Sequence, residues 1–306
     1  MGEHTKIGWC DHTFNPWIGC TKVGPGCDHC YAEALDKRMR YGGQEHWGAG
    51  VPRMHTSFAT WKEPLRWNAR AMRGERPQRV FCASLADVFD NEVPDAWRND
   101  LWFLIQRCSH LDWLIVTKRI GNVAKMVPEE WVTRGFPASV RLLITVCNQE
   151  EADRDIPKLL ALRSRNGISY EPALGPVDFA RWLSPKGHVN WGDNKNPSLE
   201  ERRAVVAIAK AAYYQMGSRL VEWVICGGES TQGAGKARPF DREWAYNTIR
   251  QCKAADVPCF IKQLGSNVLA RNDANGYDVF ALKFLDRAGA NSAEWPQDLR
   301  VQEFPA

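Results

Sequence analysis

The chain has 306 residues, of which 44% are hydrophobic and 25% charged, and its formal net charge is +4. No run of about 18 apolar residues is present, so we expect no transmembrane helix, and the N-terminus lacks the apolar core of a signal peptide. The composition is that of a folded globular protein, which we expect to be cytoplasmic and to form a single domain over residues 1–306. The mild positive charge allows a nucleic-acid partner without requiring one.

The first notable element is a loop that follows an apolar segment and carries Cys20, Cys27 and Cys30 in a C-x6-C-x2-C spacing. The glycine and proline residues of this loop let the backbone fold tightly around a bulky inorganic group. Three thiolates are one fewer than the four protein ligands of a closed zinc or iron–sulfur site. We therefore expect a metal centre with one position open for a substrate or cofactor.

The spacing alone leaves zinc and iron–sulfur open, with thioredoxin-like redox chemistry as a third interpretation. A zinc site needs a fourth ligand, for which Cys10, His12 and His29 are candidates. Disulfides are rare in reducing cytosol. Most of the cysteines outside the loop are therefore expected to be small buried hydrophobic residues; those scattered singly are Cys82, Cys108, Cys147, Cys226, Cys252 and Cys259.

Residues 53–79 form a basic segment with interleaved aromatic side chains. Its basic residues are Arg53, Lys62, Arg66, Arg70, Arg73, Arg76 and Arg79, and its aromatic residues are Phe58, Trp61 and Trp67. This mixture suits a nucleic-acid backbone with stacked bases. The alternative is an ordinary exposed basic helix face.

Short apolar runs rich in β-branched residues predict six strands, near 79–84, 112–117, 141–147, 167–171, 221–226 and 258–262. Helices are predicted near 29–40, 94–107, 151–163, 198–216 and 241–254. Alternation of strands and helices indicates an α/β fold with a parallel sheet, as a full or partial (β/α) TIM-type barrel. A doubly wound open sheet is the alternative. We also expect an irregular insertion near 184–197 and a loop-rich C-terminal tail after Leu264.

Polar residues follow the predicted strands, and in parallel barrels the carboxyl ends of the strands carry the active site. These residues are Ser84 and Asp87, Lys118 and Arg119, Thr145 and Asn148, Glu171, Glu229 and Ser230, and Lys262 and Gln263. For each residue alone, an ordinary turn is the competing interpretation. Together they predict a polar mouth at one end of the sheet.

The pattern Asn15-Pro-x-x-Gly-Cys followed by Gly-Cys-x-x-Cys-Tyr-Ala resembles the cluster loop of radical S-adenosylmethionine enzymes, and among these the proteins similar to spore photoproduct lyase. Residues 84–94 resemble the Asp-containing segment after the second strand of those enzymes. Most of the chain also resembles a phage- and prophage-associated family of radical-SAM-like proteins. The segments concerned are residues 5–9, 19–33, 84–94, 114–119, 170–176, 223–230, 237–239 and 260–263.

The resemblance implies that Cys20, Cys27 and Cys30 each hold one iron of a [4Fe–4S] cluster and that the fourth iron binds S-adenosylmethionine. It implies cleavage of that cofactor to a 5′-deoxyadenosyl radical, which abstracts hydrogen from the substrate. A reductant such as flavodoxin or ferredoxin would supply the electron. The cofactor-binding candidates are Ser84, Asp87, Lys118, Glu171 and Glu229.

In photoproduct-lyase-like enzymes a cysteine can return hydrogen to the product radical, and Cys147 or Cys226 is the candidate here. Burial in the core is the competing interpretation for both. The sequence departs from the usual C-x3-C-x2-C spacing in its longer first gap, and His29 stands where an aromatic or apolar residue is usual. The expected substrate is a nucleic acid base or nucleotide. The alternative is a zinc-stabilised, non-catalytic nucleic-acid-binding protein, and a redox-sensing iron–sulfur protein is a third.

Overall fold

The structure is a computed structural model that describes residues 3–74, 76–184, 198, 200, 220–232, 235–271 and 279–305. The chain divides into two compact units. Unit 1 holds Met1–Thr145, Leu162–Arg165 and Gln232–Gly235, and unit 2 holds Val146–Ala161, Asn166–Thr231 and Lys236–Ala306. That the whole chain forms one domain stays a prediction.

The described strands are β1 (His12–Phe14), β2 (Trp17–Ile18), β3 (Met54–His55), β4 (Gln78–Cys82), β5 (Leu111–Thr117), β6 (Val140–Thr145), β7 (Arg165–Tyr170), β8 (Val224–Gly227), β9 (Phe240–Asp241), β10 (Cys259–Gln263), β11 (Val268–Arg271) and β12 (Val279–Leu282). The described helices are α1 (Tyr31–Met39), α2 (Phe58–Ala71), α3 (Asp95–Arg107), α4 (Ile120–Met126), α5 (Glu129–Thr133), α6 (Gln149–Leu160), α7 (Ala180–Leu183) and α8 (Arg242–Ala254). Short 3-10 segments cover Pro25–Cys27, Tyr41–Gly43, Ser292–Glu294 and Gln297–Leu299.

Unit 1 contains a parallel sheet in the order β1-β4-β5-β6. Phe14 on β1 lies opposite Cys82 on β4, which in turn lies opposite Ile115 on β5. Strand β6 is buried at every position, as expected for a strand covered on both faces. Because the strands are parallel, the segments that follow β1, β4 and β5 all start from one edge of this sheet. The segment after β1 contains the short strand β2 and then the cysteine loop.

Unit 2 contains the parallel strands β7, β8 and β10, in that order. Helix α8 lies between β8 and β10 in the chain and begins after Asp241, whose side chain accepts a hydrogen bond from the Glu243 amide. This cap confirms the helix start predicted from the sequence. In a smaller sheet, β11 pairs in parallel with β9 and antiparallel with β12.

The predicted α/β class is confirmed, since the two units supply seven parallel strands with intervening helices, consistent with a partial (β/α) TIM-type barrel. All six predicted strands form. Four predicted helices form as α1, α3, α6 and α8. The helix predicted at 198–216 lies outside the described residues except for 198 and 200, and the insertion near 184–197 lies outside them after Ser184.

Helix α2 forms within residues 53–79, for which a basic helix face was the alternative interpretation. Several elements were not predicted, most clearly strand β1 and the β11–β12 pair, which adds two strands to the loop-rich tail. The core is rich in tryptophan, as expected for this residue type. Trp17, Trp113, Trp131, Trp223 and Trp295 are each less than 2% exposed. None of the helices in the described ranges is both long enough and apolar enough to cross a membrane.

Candidate functional site

The cysteine loop is fixed at its start by a close backbone approach. Gly19 adopts a φ of +113°, and a Cβ at this position would lie only 2.4 Å from the carbonyl oxygen of His46. Cys27 ends a 3-10 segment, and Cys30 is the residue immediately before helix α1. The loop is therefore held by glycine at one end and by the start of a helix at the other.

The three loop thiols differ from every other thiol of the chain in their exposure. None of the ten cysteines is in a disulfide. Cys20, Cys27 and Cys30 are partly exposed, whereas the other seven are buried. The prediction of a buried role for the scattered cysteines is thus confirmed. Thiols are the donors that iron–sulfur clusters and structural zinc take, so the loop's donor set fits a thiolate-bound centre.

Of the three residues considered as a fourth zinc ligand, His12 and Cys10 are buried and have other contacts, whereas His29 is exposed within the cysteine loop. His12 Nε2 lies 2.7 Å from Gln78 Oε1, and its ring stacks on Trp67 at 4.2 Å. Cys10 is buried, with its sulfur 3.8 Å from the Ile7 carbonyl oxygen. Across the described residues, no group of three or more His, Cys, Asp or Glu side chains is arranged to hold a metal ion. A closed zinc site takes four ligands around one ion, whereas a [4Fe–4S] cluster with one open iron takes one thiolate on each of the other three. Binding of either by Cys20, Cys27 and Cys30 stays a prediction.

Cys20 lies beside a buried cation. Its sulfur is 3.4 Å from Arg119 Nη1, and Arg119 Nη2 donates to the Thr21 carbonyl oxygen at 2.6 Å. Burial, aided by the negative charge of Asp87, raises the pKa of Cys20 to about 12, while the Arg119 charge acts in the opposite direction. Because a thiolate is the form that binds metal, Arg119 stands where it stabilises the binding form of Cys20.

Cys30 has the environment of a helix N-terminus. Burial raises the pKa of Cys30, and the backbone N–H groups of Glu33 and Ala32 and the positive charge of Lys118 all oppose that rise. Amides at a helix N-terminus stabilise a thiolate. Lys118, a predicted cofactor contact, therefore lies near enough to the loop to act on one of its thiols.

Asp87 organises the segment that follows β5. Its Oδ1 accepts from the Phe89 amide at 2.9 Å and from Thr117 Oγ1 at 2.8 Å. Its Oδ2 accepts from the Lys118 amide at 3.0 Å and lies 3.5 Å from Arg119 Nη1. Both carboxylate oxygens thus hold the chain around Lys118 in place. Contact of Asp87 with a cofactor stays a prediction.

Ser84 joins the segments after β1 and β4. Its Oγ accepts from Asn15 Nδ2 at 2.9 Å, and Asn15 Oδ1 accepts from the Leu85 amide at 2.6 Å. The hydroxyl of Tyr31, the first residue of α1, donates to the Ser84 carbonyl oxygen at 2.6 Å. Unit 1 therefore brings Ser84, like Asp87 and Lys118, next to the elements that carry the cysteine loop.

In unit 2 the ends of three parallel strands meet around a carboxylate. Glu171, which follows β7, accepts a hydrogen bond from Lys262 on β10. A Cβ added at Gly227, at the end of β8, would lie 3.4 Å from the Glu171 carboxyl carbon. Glu229 accepts from the side chain of Arg238 at 2.7 Å and from its amide at 2.8 Å. Both predicted cofactor-binding carboxylates of this unit thus lie beside cations.

The two candidate hydrogen donors, Cys147 and Cys226, are both buried. Thr248 on α8 lies close to the Cys226 thiol, and burial raises the pKa of Cys226 well above the usual value. Burial also raises the pKa of Tyr170, and negative charge on either cysteine would raise it further. Tyr170 therefore lies near both thiols. Their part in a reaction stays a prediction.

Comparison with protein families identifies a match over most of the chain. Residues 4–293 match the family described as "Protein of unknown function (DUF5131)". The chain belongs to this family. Among curated proteins, no match was found.

Solved structures of spore photoproduct lyase resemble this DUF5131 member at a distance. A cysteine-to-serine variant is 10% identical with a TM-score of 0.40, covering 90% of this chain and 69% of that one. A tyrosine-to-phenylalanine variant has a TM-score of 0.39 at 10% identity, covering 88% and 67%. The lyase complexed with dinucleoside spore photoproduct has a TM-score of 0.36 at 10% identity, covering 71% and 55%. The association with phages stays a prediction.

The basic segment of the DUF5131 chain is largely paired within the protein. Arg53 is 6% exposed and binds Asp90, so it is part of the core rather than a surface contact for nucleic acid. Trp67 is buried against His12, and Trp61 stacks on His55 with ring centroids 5.0 Å apart. Ion pairs also engage four arginines of this segment: Arg66 with Glu63, Arg70 with Glu3, and Arg76 and Arg79 with Asp11. An exposed surface remains at Phe58, which is 75% exposed with Lys62 over its ring.

Three residues that matter for the loop were missed by sequence reasoning: Thr21, Asp90 and the buried Arg53. In the sequence, Asp90 is noted only as part of the segment 84–94, and Arg53 only as part of the basic segment 53–79. The position of Thr21 next to Cys20 was the one signal that the sequence offered. The contacts of Thr21 with Arg53 and with Arg119 join positions 32 and 98 residues apart, so no local pattern predicts them.

Proposed function

We propose that this protein is a radical S-adenosylmethionine enzyme whose [4Fe–4S] cluster is held by Cys20, Cys27 and Cys30. The observation that supports this most is the exposure of these three thiols in one loop at the carboxyl end of a parallel strand, while the other seven are buried. Bound there, the reduced cluster would supply the electron that cleaves S-adenosylmethionine to methionine and a 5′-deoxyadenosyl radical.

The residues of the chain would bind and orient the cofactor and keep water away. The positive charge of Lys118 acts on Cys30, so its side chain lies close to the loop. An ammonium group in this position suits the carboxylate of the cofactor. Ser84 and Asp87 hold the segments around it, as their hydrogen bonds to Asn15 and Thr117 indicate. Glu171 and Glu229 are the proposed acceptors for amino or hydroxyl groups of the cofactor or substrate, each oriented by its neighbouring cation.

For return of hydrogen to a product radical, Cys147 is the better of the two candidates. It follows β6 at the end of that strand, where a site in this fold is expected. Cys226 instead lies within β8, one residue before its end, and Thr248 on α8 lies close to it. We propose a nucleic acid base or nucleotide as substrate and a reductant such as flavodoxin or ferredoxin. Ten cysteines without a disulfide support a reducing compartment such as the cytoplasm.

The test is anaerobic reconstitution with iron and sulfide, followed by S-adenosylmethionine and a chemical reductant. We expect 5′-deoxyadenosine from the wild type and from Cys10→Ala, and none from Cys27→Ala. Cys10→Ala is the matched control because it also removes a thiol, but one outside the loop. A wild-type protein that holds a complete cluster and releases no 5′-deoxyadenosine would contradict the enzymatic proposal. Loss of bound metal in Cys10→Ala would instead support the zinc alternative.

A further inference from the structure

Two buried arginines meet at Thr21, the residue that follows Cys20. Arg119 Nη2 donates to the Thr21 carbonyl oxygen at 2.6 Å, and Arg53 Nη2 donates to the Thr21 hydroxyl at 2.6 Å. The same hydroxyl donates to the Gly48 carbonyl oxygen at 3.1 Å. One residue of the loop is thus bonded through its backbone to one guanidinium and through its side chain to another.

Two buried aspartates balance the charge of these arginines. Asp90 binds Arg53 at 2.7 Å through Oδ2 and lies 3.4 Å from Arg119 Nη2 through Oδ1. Asp87 lies 3.5 Å from Arg119 Nη1. The four side chains are between 0% and 8% exposed. Buried charges of this kind are retained only when they are paired and hydrogen-bonded, so the set behaves as one unit.

The remaining donors of both arginines anchor the unit to the surrounding backbone. Arg53 Nη1 donates to the carbonyl oxygens of His46, Gly48 and Val51 at 3.1, 3.0 and 2.7 Å. The Arg119 amide donates to Thr117 Oγ1 at 2.8 Å, at the end of β5. Thr21 is therefore tied to a rigid strand end on one side and to the 46–51 segment on the other.

We infer that this four-charge unit is a clamp on Thr21 that sets the position of Cys20, which makes Arg119 and Arg53 positioning residues for an iron–sulfur ligand. The inference rests on the proposed function only in its second part, the effect on a cluster. Arg119 also donates to the Cys20 sulfur, and hydrogen bonds to the sulfurs are among the factors that set the potential of such clusters.

Three variants separate the clamp from general stability. Thr21→Val removes the hydroxyl and keeps the shape and all four charges. Arg119→Gln removes the bonds to both Cys20 and Thr21. Arg98→Gln is the matched control, because Arg98 is also buried and donates to the Asp90 carbonyl oxygen at 3.1 Å, but its second contact is to Asp95.

The first measurement is amide hydrogen exchange between Thr21 and Cys30 in protein prepared without iron. The free energy of one hydrogen bond to a charged group is large enough to slow amide hydrogen exchange in a segment by about tenfold or more. We expect exchange about tenfold faster in Thr21→Val and Arg119→Gln than in the wild type, and unchanged in Arg98→Gln. Unchanged exchange in Thr21→Val and Arg119→Gln, or equal acceleration in Arg98→Gln, would overturn the clamp. If Arg119→Gln does not fold, Thr21→Val decides.

The second measurement is the reduction potential of the reconstituted centre. Arg119→Gln removes a cationic donor to Cys20, which disfavours the reduced cluster because that state is more negative. A tenfold decrease in the equilibrium constant for one-electron reduction corresponds to a reduction potential lower by about 59 mV, and this is the shift we expect. Arg98→Gln should leave it unchanged, and an unchanged potential in Arg119→Gln would overturn the second part. A wild type that takes up no cluster refutes the proposed function, while the exchange result still decides the clamp.

Discussion

Gly19 is the residue on which the geometry of the cysteine loop depends most. It combines a φ of +113° with a neighbouring carbonyl oxygen 2.4 Å from where a Cβ would stand. Gly50 also has a positive φ, of +70°, but nothing lies within 4 Å of its added Cβ. The two glycines therefore separate backbone strain from steric crowding.

We predict that Gly19→Ala lowers the free energy of unfolding by about 3 kcal/mol or more, since strain and overpacking add. Gly50→Ala should cost about 1 to 2 kcal/mol, from conformational strain alone. Urea denaturation of the iron-free proteins measures both. Equal losses in the free energy of unfolding for the two substitutions would show that the backbone at His46 can move away from the added methyl group.

At the same scale, the sequence allows Cys20, Cys27 and Cys30 to be proposed as metal ligands, but it does not predict their surroundings. The thiols of Cys20, Cys27 and Cys30 are recognisable because their spacing is local. The pairing of Arg53 with Asp90 depends on how two distant segments pack. From the sequence, Arg53 is therefore expected at the surface with the other basic residues of its segment, although it is buried.

Among the elements, the parallel strands were the most predictable, because continuous apolar runs of this length are typical of strands buried on both faces. For residues 53–79 the sequence suggests a surface for nucleic acid, with an exposed basic helix face as the alternative, and helix α2 forms there over Phe58–Ala71. Strand β1 is three residues long, too short for a periodic pattern. Tertiary pairing with β4, rather than local preference, defines it.

In helix α6, a residue predicted to belong to the polar mouth has a structural role. Asn148 is the cap of this helix, and its Oδ1 accepts from the Glu151 amide at 2.9 Å. Glu151 in turn accepts from the Cys147 amide at 2.8 Å. These reciprocal bonds fix the backbone at Cys147, the proposed hydrogen donor.

We predict that Asn148→Ala lowers the free energy of unfolding by about 1 kcal/mol, because the helix loses its capping acceptor. Asn148→Ser should retain most of the stability, since serine also caps. Chemical denaturation with both variants tests this. A fully stable Asn148→Ala would indicate that Asn148 is free to serve a ligand instead.

For the molecule as a whole, the proposed function depends most on the difference in exposure between the three loop thiols and the seven buried thiols. Neither the α/β class nor the strand ends identify a cofactor, because one fold supports many chemistries. Within unit 2, Glu171 after β7 pairs with Lys262 on β10, and Glu229 after β8 pairs with Arg238, which precedes β9. The metal centre is therefore the feature whose presence tests the account first.

The most direct measurement is the metal and sulfide content of protein purified without oxygen, together with its visible spectrum. We expect about four iron and four sulfide per chain and broad absorbance near 400 nm, all lost in Cys27→Ala and retained in Cys10→Ala. One zinc per chain in a colourless preparation would contradict this expectation.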